Sequence, residues 1–368
     1  MKIAMLSPYS LSRPGGVVGQ VHGLSRALVR LGHEVTVIGP DDEHPRGAGP
    51  DLYVVGEPRE VPSNGSVAPV TLSPLASLRA ERFVRRGEFD VLHLHEPLAP
   101  VLSYAFMVNP PVPMVGTYHR AGVSRWVPVL KPLVKLVGYR MQVRVAVSEA
   151  ARETAQQSSK GAYEVLYNGV DVERFSEVEP APTVRPTVLF LARHETRKGL
   201  NVLLDAFAQV DRPAVLWVAG DGPQSEVQRR RHPESDRVKW LGLLSDEERD
   251  ARLLGADVLC APSLHGESFG VVVLEGMAAG CSVVASDLQG YRSAAGGHAT
   301  LVSPGDVTAL ARALGVALAD AAEGSGQSSA GALKAAAAYA QGWSMESLAE
   351  RYLDVYERAI AAFHRGAR

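Results

Sequence analysis

Short runs rich in Val, Ile and Leu alternate along the chain with longer stretches in which apolar residues recur every three or four positions. That is the pattern of a parallel sheet wrapped by helices. In the first half Lys2 to Leu6, Glu34 to Ile38, Leu52 to Val55, Val91 to Leu94, Met114 to Tyr118 and Arg144 to Ser148 read as strands. Between the first two, Val21, Leu24, Leu28 and Leu31 share one helical face and Gly32 follows as a stop. The pattern restarts with Thr187 to Leu191, Ala214 to Val218, Val238 to Leu241, Val258 to Ala261, Ser282 to Ala285 and Ala299 to Val302. Pro180, Pro182 and Pro186 make Ser176 to Pro186 suit a linker, so the expected domains are residues 1–178 and 179–344. Ala321 to Ala340, rich in Ala, Gly and Ser, reads as a loop followed by a helix. Leu348, Tyr352, Val355, Ala359 and Phe363 lie on one face of a last helix within residues 345–368, which needs a groove and is expected to pack back on the first domain. The expected fold class is α/β, two Rossmann-like doubly wound domains facing across a cleft, with chemistry in the loops that follow strands.

Length agrees: 368 residues exceed what one core usually serves. Lys and Arg number 38 and Asp and Glu 40, a balance that excludes a general nucleic-acid binder and makes any basic function local. Cys260 and Cys281 cannot build a disulfide framework or a four-ligand zinc site, and both sit in apolar runs that read as core. Too few apolar residues precede Pro8 for a signal peptide, and no window reaches the roughly 18 apolar residues of a span. A cytoplasmic protein is expected.

The first strand runs into Pro8-Tyr9-Ser10-Leu11-Ser12-Arg13-Pro14-Gly15-Gly16-Val17, and paired glycines before a helix let backbone N–H groups approach an anion. Glycine there also serves merely to turn the chain, and Gly-x-Gly-x-x-Gly is absent, which removes support for NAD. In the second domain Arg193, Arg197 and Lys198 follow a buried strand, and guanidinium with ammonium suits a diphosphate, although a solvated loop would look the same. The most informative stretch is His265-Gly266-Glu267-Ser268-Phe269-Gly270, then Glu275 about one turn into a helix. Two carboxylates flanking a helix N-terminus can accept two sets of sugar hydroxyls around a phosphate, the pattern for a nucleotide sugar. No Asp-x-Asp occurs, and the nearest carboxylate cluster, Asp41-Asp42-Glu43, lies in a surface-like loop, so metal-independent chemistry and no cofactor are expected. His119 ends a strand of the first domain and is expected to project into the cleft opposite Glu267.

These residues resemble the retaining glycosyltransferases of family 4. Glu267 and Glu275 make a Glu-x7-Glu element, and Gly15-Gly16, Arg193, Lys198 and Asn168-Gly169-Val170-Asp171 match that family. Pro8-Tyr9-Ser10, Pro14-Gly15-Gly16-Val17, Asp90-Val91-Leu92-His93-Leu94-His95-Glu96-Pro97, Gly266-Glu267-Ser268-Phe269-Gly270 and Val283-Val284-Ala285-Ser286-Asp287-Leu288 read like the phosphatidyl-myo-inositol mannosyltransferases within it. The resemblance implies a GT-B fold, a GDP-mannose donor in the C-terminal domain and an inositol phospholipid acceptor at the N-terminal one. By analogy Arg193 and Lys198 hold the diphosphate, Glu275 the ribose and Glu267 the donor sugar, with Ser268, Phe269, Gly270 and the Gly16 backbone completing the donor site. His119 faces the reacting centre, and Tyr9, Pro14, Gly15, Gly16 and Arg120 belong to the acceptor side. A member of that subgroup carries Gln where Val18 stands, Asn where Leu98 stands and a Thr/Ser-rich run in place of Arg120-Ala121-Gly122-Val123, all bordering the expected acceptor site.

Between Ser77 and Arg144 ten Lys or Arg face four Asp or Glu, and Val123 to Leu136 mixes cations with Trp126, Val127, Val129, Leu130, Leu133 and Val134. A basic face beside an apolar one is how a peripheral enzyme sits on anionic lipid, here through Arg79, Arg82, Arg85, Arg86, Lys131 and Lys135 on the inner face of the cell membrane. An ordinary surface helix packed on the sheet is the competing reading. A UDP-sugar donor with a soluble acceptor, a sugar-nucleotide 2-epimerase and a non-catalytic binding module are the other functions compatible with the pattern.

Overall fold

Each apolar run becomes a parallel strand, because a strand covered by helices on both faces has no polar side to show. The computed structural model describes residues 1–13, 15–41, 50–63, 66–99, 101–108, 110–120 and 140–366. In chain order the strands are β1 Lys2–Leu6, β2 Glu34–Gly39, β3 Asp51–Val54, β4 Arg59–Ser63, β5 Ser66–Val70, β6 Val91–His95, β7 Met114–Tyr118, β8 Val143–Ala146 and β9 Glu164–Val165, then β10 Thr187–Leu191, β11 Val215–Ala219, β12 Val238–Gly242, β13 Val258–Ala261, β14 Ser282–Ser286 and β15 Thr300–Val302. One sheet runs β3-β2-β1-β6-β7-β8-β9 and the other β12-β11-β10-β13-β14-β15, both wholly parallel. In each, strand order reverses beside the first strand, between β1 and β6 and between β10 and β13. Loops leaving those carboxyl ends diverge and leave a crevice, so each half offers a ligand position there.

The antiparallel hairpin of β4 and β5 is not announced by the sequence, because Pro62 and Pro69 interrupt the apolar pattern. A two-stranded ribbon tolerates both prolines since each strand is an edge. The hairpin meets the loop after β1, where Ser10 N–H donates to the Pro69 carbonyl at 2.9 Å. The stretch 321–340 forms the end of helix Val307–Glu323, a short 3-10 turn at Gly326–Ser328 and most of helix Ala330–Gln341.

The chain divides into Met1–Gly169 with Met345–Arg368, and Val170–Ser344. Residues 170–178, expected in the first domain, therefore belong to the second. Val170 N–H donates to the Trp343 carbonyl at 2.8 Å, Arg174 pairs with Asp250 and Glu275, and Ala181 N–H donates to the Ala251 carbonyl at 2.8 Å. The proline-rich segment is thus tied to the second half, and the chain crosses between halves at 169/170 and 344/345.

The last helix, Met345–Gly366, lies against the first sheet and helix Gly16–Arg30. Leu348, Tyr352, Val355, Tyr356 and Ala359 share one core with Ile3, Met5, Leu24, Val91 and Val115. Phe363, expected on the same face, is only half-buried, so the groove ends about one turn earlier. Val355→Ala deletes two fully buried methyl groups and should destabilise the N-terminal half by about 2 kcal/mol, transfer plus residual cavity. A urea midpoint unchanged from wild type would show that this helix is not part of that core.

Candidate functional site

In the C-terminal half the loops after β10 and β13 close on one carboxylate. Leu264 N–H donates to the Arg197 carbonyl at 2.7 Å and ties the two loops together. Lys198 Nζ lies 2.7 Å from Glu267 Oε1, Arg197 Nη1 3.3 Å from the same oxygen, and Ser263 Oγ donates to it at 2.9 Å. Glu267 Oε2 accepts no hydrogen bond from the described residues. Ser263 is itself held by the Tyr291 hydroxyl at 2.8 Å. Burial alone would raise the Glu267 carboxyl, but the Lys198 and Arg197 charges and the Ser263 hydrogen bond outweigh it and hold the group below its ordinary value.

Arg193 joins through Glu195, its Nε 3.6 Å from Glu195 Oε1, while Arg197 Nε donates to Glu195 Oε2 at 2.9 Å. The Glu195 side chain is 6% exposed and that of Arg193 51%, so a buried acid anchors a guanidinium that reaches solvent. Three cations against two carboxylates leave net positive charge where β10 and β13 end, as a polyanionic ligand requires. Arg193, Lys198 and Glu267 are thus brought together as expected; Arg197, Glu195, Ser263 and Tyr291, not anticipated as partners, complete the cluster.

Gly270 precedes helix Val271–Ala278 at φ +105°, and a Cβ there would lie 2.5 Å from Tyr291 Cδ1, so both backbone and packing demand glycine. Two residues expected at the donor site have partners within the protein. The Phe269 side chain is 1% exposed and packs 5.2 Å from Trp343, which makes it core; Ser268 beside it is half-buried. Glu275 accepts from Arg174 Nη2 at 2.8 Å in a second cluster with Asp250 and Arg249. The seven-residue spacing therefore puts Glu267 and Glu275 on separate sets of partners. Arg174 lies 101 positions from Glu275, beyond any local pattern.

In the N-terminal half, Gly15 and Gly16 are exposed at the start of helix Gly16–Arg30, and a Cβ on either would meet nothing within 4 Å. Packing among the described residues therefore does not require glycine at either position. Pro14 lies outside the described residues, and so do Asp42 and Glu43; among the described residues no His, Cys, Asp and Glu group is placed to hold a metal. Val18 is buried in the core. Strand periodicity puts Val91, His93 and His95 on one face of β6, and the register sets His95 beside Thr117 on β7. His119 Nε2 lies 3.0 Å from His95 Nδ1, and His119 N–H donates to Glu96 Oε2 at 2.9 Å. Glu96 holds φ +47°, a left-handed backbone that a non-glycine residue adopts at a cost of roughly 1 kcal/mol, and this turn returns its carboxylate to β7. Burial, and then Glu96, raises the Tyr9 phenol, while the Arg120 charge partly offsets them, so Tyr9, Glu96, His119 and Arg120 share one electrostatic neighbourhood. His93-x-His95 and Thr117-x-His119 are alternations visible in the sequence, but Tyr356 and Tyr352, which bond His93 and Thr117, stand 263 and 235 positions away.

Arg79, Arg82, Arg85 and Arg86 are exposed on helix Pro74–Arg86, where Leu75 and Leu78 are 64% and 45% exposed, and Leu72 just before the helix is 42% exposed. Lys131, Lys135 and the rest of Val123 to Leu136 lie outside the described residues. No helix among the described residues is long and apolar enough to cross a membrane. Both cysteines are buried, and burial followed by the Asp257 charge pushes the Cys281 thiol up to about 12.

Residues 14–174 match the family model for glycosyltransferase family 4 and residues 185–320 that for glycosyl transferases group 1. The chain is 36% identical over 329 residues, 86% of each protein, to a phosphatidyl-myo-inositol mannosyltransferase of Mycobacterium tuberculosis. Sucrose-phosphate synthase from Thermosynechococcus elongatus superposes with a TM-score of 0.75 at 20% identity, covering 98% of this chain and 99% of that one. Anabaena HepE in complex with UDP-glucose superposes with a TM-score of 0.72 at 20% identity, covering 97% and 99%. Both are similar in fold.

Burial pushes the His119 imidazole down to about 3, and burial with the His119 charge does the same to His93; His95 is lowered by burial and by both neighbours. Below the ordinary value of 6.5 the unfolded chain therefore binds protons that the folded one refuses until about pH 3. Their contribution is complete above pH 6.5 and declines on acidification, by at most about 1.4 kcal/mol per pH unit for each group. Glu96, raised by burial, works in the opposite sense near its own range. Hydrogen-exchange protection of β6 and β7, corrected for intrinsic rate, should fall between pH 6.5 and 5; constant protection would mean that the imidazoles are not buried neutral.

Proposed function

Since the chain belongs to glycosyltransferase family 4, we propose that it moves mannose from GDP-mannose to phosphatidyl-myo-inositol with retention of configuration and without a divalent metal. The convergence of Lys198 and Arg197 on Glu267, at the carboxyl ends of the two strands flanking a switch point, is the observation that carries this reading. The name of the mycobacterial relative supports the lipid acceptor and the mannosyl group.

The donor's diphosphate meets Arg193 and Lys198, and its sugar hydroxyls meet the open oxygen of Glu267. As the anomeric carbon–oxygen bond breaks, negative charge grows on the departing phosphate, and fixed cations already in place stabilise it without reorganising. Glu267 keeps Lys198 in position between turnovers. The acceptor hydroxyl attacks from the face the phosphate vacates and gives its proton to that phosphate oxygen, so no covalent glycosyl-enzyme is formed. His119 and the Gly15-Gly16 N–H groups are the hydrogen-bonding groups that the N-terminal half supplies for the acceptor. The exposed leucines and arginines of helix Pro74–Arg86 give the enzyme a basic, partly apolar face for anionic lipid.

Arg193→Ala and Lys198→Ala should each lower turnover by on the order of 10²-fold or more, as for other removed charge stabilisers. His119→Ala should lose turnover while keeping donor affinity. Product analysis over GDP- and UDP-sugars, with lipid and soluble acceptors and with EDTA, tests the assignment. Transfer only from a UDP-sugar, only to a soluble acceptor, or abolished by EDTA would overturn the corresponding part. Free nucleotide with an altered sugar and no acceptor would reassign the protein as an epimerase.

Replacing Arg79, Arg82, Arg85 and Arg86 by Gln should weaken partition onto phosphatidylinositol vesicles by about 1 kcal/mol per charge. Equal sedimentation of variant and wild type with those vesicles would remove the lipid-facing role.

A further inference from the structure

Beneath His119 lies a buried stack of imidazoles that the proposed reaction does not itself use. His93 and His95 are 4.1 Å apart between ring centroids, and His95 and His119 5.3 Å with planes 25° apart. Both nitrogens of His93 are engaged, Nδ1 by the Tyr356 hydroxyl at 2.8 Å and Nε2 by Thr117 Oγ1 at 2.7 Å; Thr117 is held in turn by the Tyr352 hydroxyl at 2.8 Å. The C-terminal helix thus clamps His93, and the His95 ring is confined between His93 and His119.

His95 makes one hydrogen bond through its ring, Nδ1 to His119 Nε2 at 3.0 Å, and its own Nε2 is buried with no partner among the described residues. Two neutral imidazoles in such a contact share one N–H, and two arrangements are possible. If His119 donates, the proton of His95 sits on Nε2, a buried donor with no acceptor among the described residues, and the full desolvation penalty of that N–H is left uncompensated. If His95 donates, only a lone pair is left unmatched, and unmatched acceptors are better tolerated than orphaned N–H groups. The cavity bordered by His95, His119 and Asn168 has a volume of only about 10 Å³, and Nε2 itself has almost no accessible surface, so hydration offers it little relief.

We propose that His95 is a positioning residue that donates from Nδ1 and fixes His119 as its Nδ1–H tautomer. His119 then meets its ligand as a neutral Nδ1–H donor to an oxygen acceptor and takes no proton. The catalytic consequence rests on the reading that His119 faces the reacting centre; the tautomer does not. The depressed basicity of both rings agrees with neutral imidazoles throughout the working range.

The test is a two-bond proton–nitrogen correlation spectrum of histidine-labelled protein, with His119 assigned from the signals that disappear in His119→Asn. The expected pattern for wild type is protonated Nδ1 and bare Nε2. His95→Leu should release His119 to the Nε2–H form or a mixture and lower kcat at least about tenfold with donor KM little changed. His95→Asn, whose amide can donate from near the Nδ1 position, should restore both pattern and rate. An Nε2–H His119 in wild type, or an unaltered pattern in a folded His95→Leu, overturns the proposal. Should His95→Leu not fold, the wild-type spectrum still decides. Absence of glycosyl transfer beside an Nδ1–H spectrum would sink the reaction assignment and leave the tautomer standing.

Discussion

The contact between Lys198 Nζ and Glu267 Oε1 joins residues 69 positions apart, and the rest of the C-terminal site is arranged around it. It forms because β10 and β13 are neighbours in the sheet, which brings the loops that follow them together at one end of it. Glu267 is partly withdrawn from water, which alone would favour the neutral acid; the two cations and Ser263 reverse that preference. Lys198 is in turn kept from folding away into solvent. An ion pair of this sort is weak evidence for stability, since desolvation opposes the attraction. Its value lies in holding at a defined place one ammonium and a carboxylate whose second oxygen accepts no hydrogen bond from the described residues.

The N-terminal half meets a related requirement with neutral groups. His119 is anchored by its backbone to Glu96 and by its ring to His95, and the stack continues through His93 to hydroxyls on the last helix. Positive φ at Glu96 is the local strain that this arrangement costs. Tyr352 and Tyr356 therefore do two jobs at once: their rings belong to the main core of the half, and their hydroxyls satisfy polar groups that the core would otherwise leave unpaired.

One half holds cations braced by buried acids and the other holds imidazoles stripped of charge by burial.

Alternation of apolar runs and amphipathic stretches determined the α/β class, the parallel strands, the last helix and the loops in which to look, because strand and helix periodicity are local properties. Arg193, Lys198, Glu267 and His119 could be singled out for the same reason, each lying just beyond an apolar run. Partners were another matter. That Glu275 holds Arg174 and that the Phe269 side chain is buried could not be read from their spacing. The boundary fell at 169/170, away from the proline-rich segment, because Arg174 and Ala181 are bound to residues of the second half. Hydrogen bonds and ion pairs between distant segments leave no periodic trace along a chain. Only packing decides which of several plausible acids and bases end within 3 Å of one another.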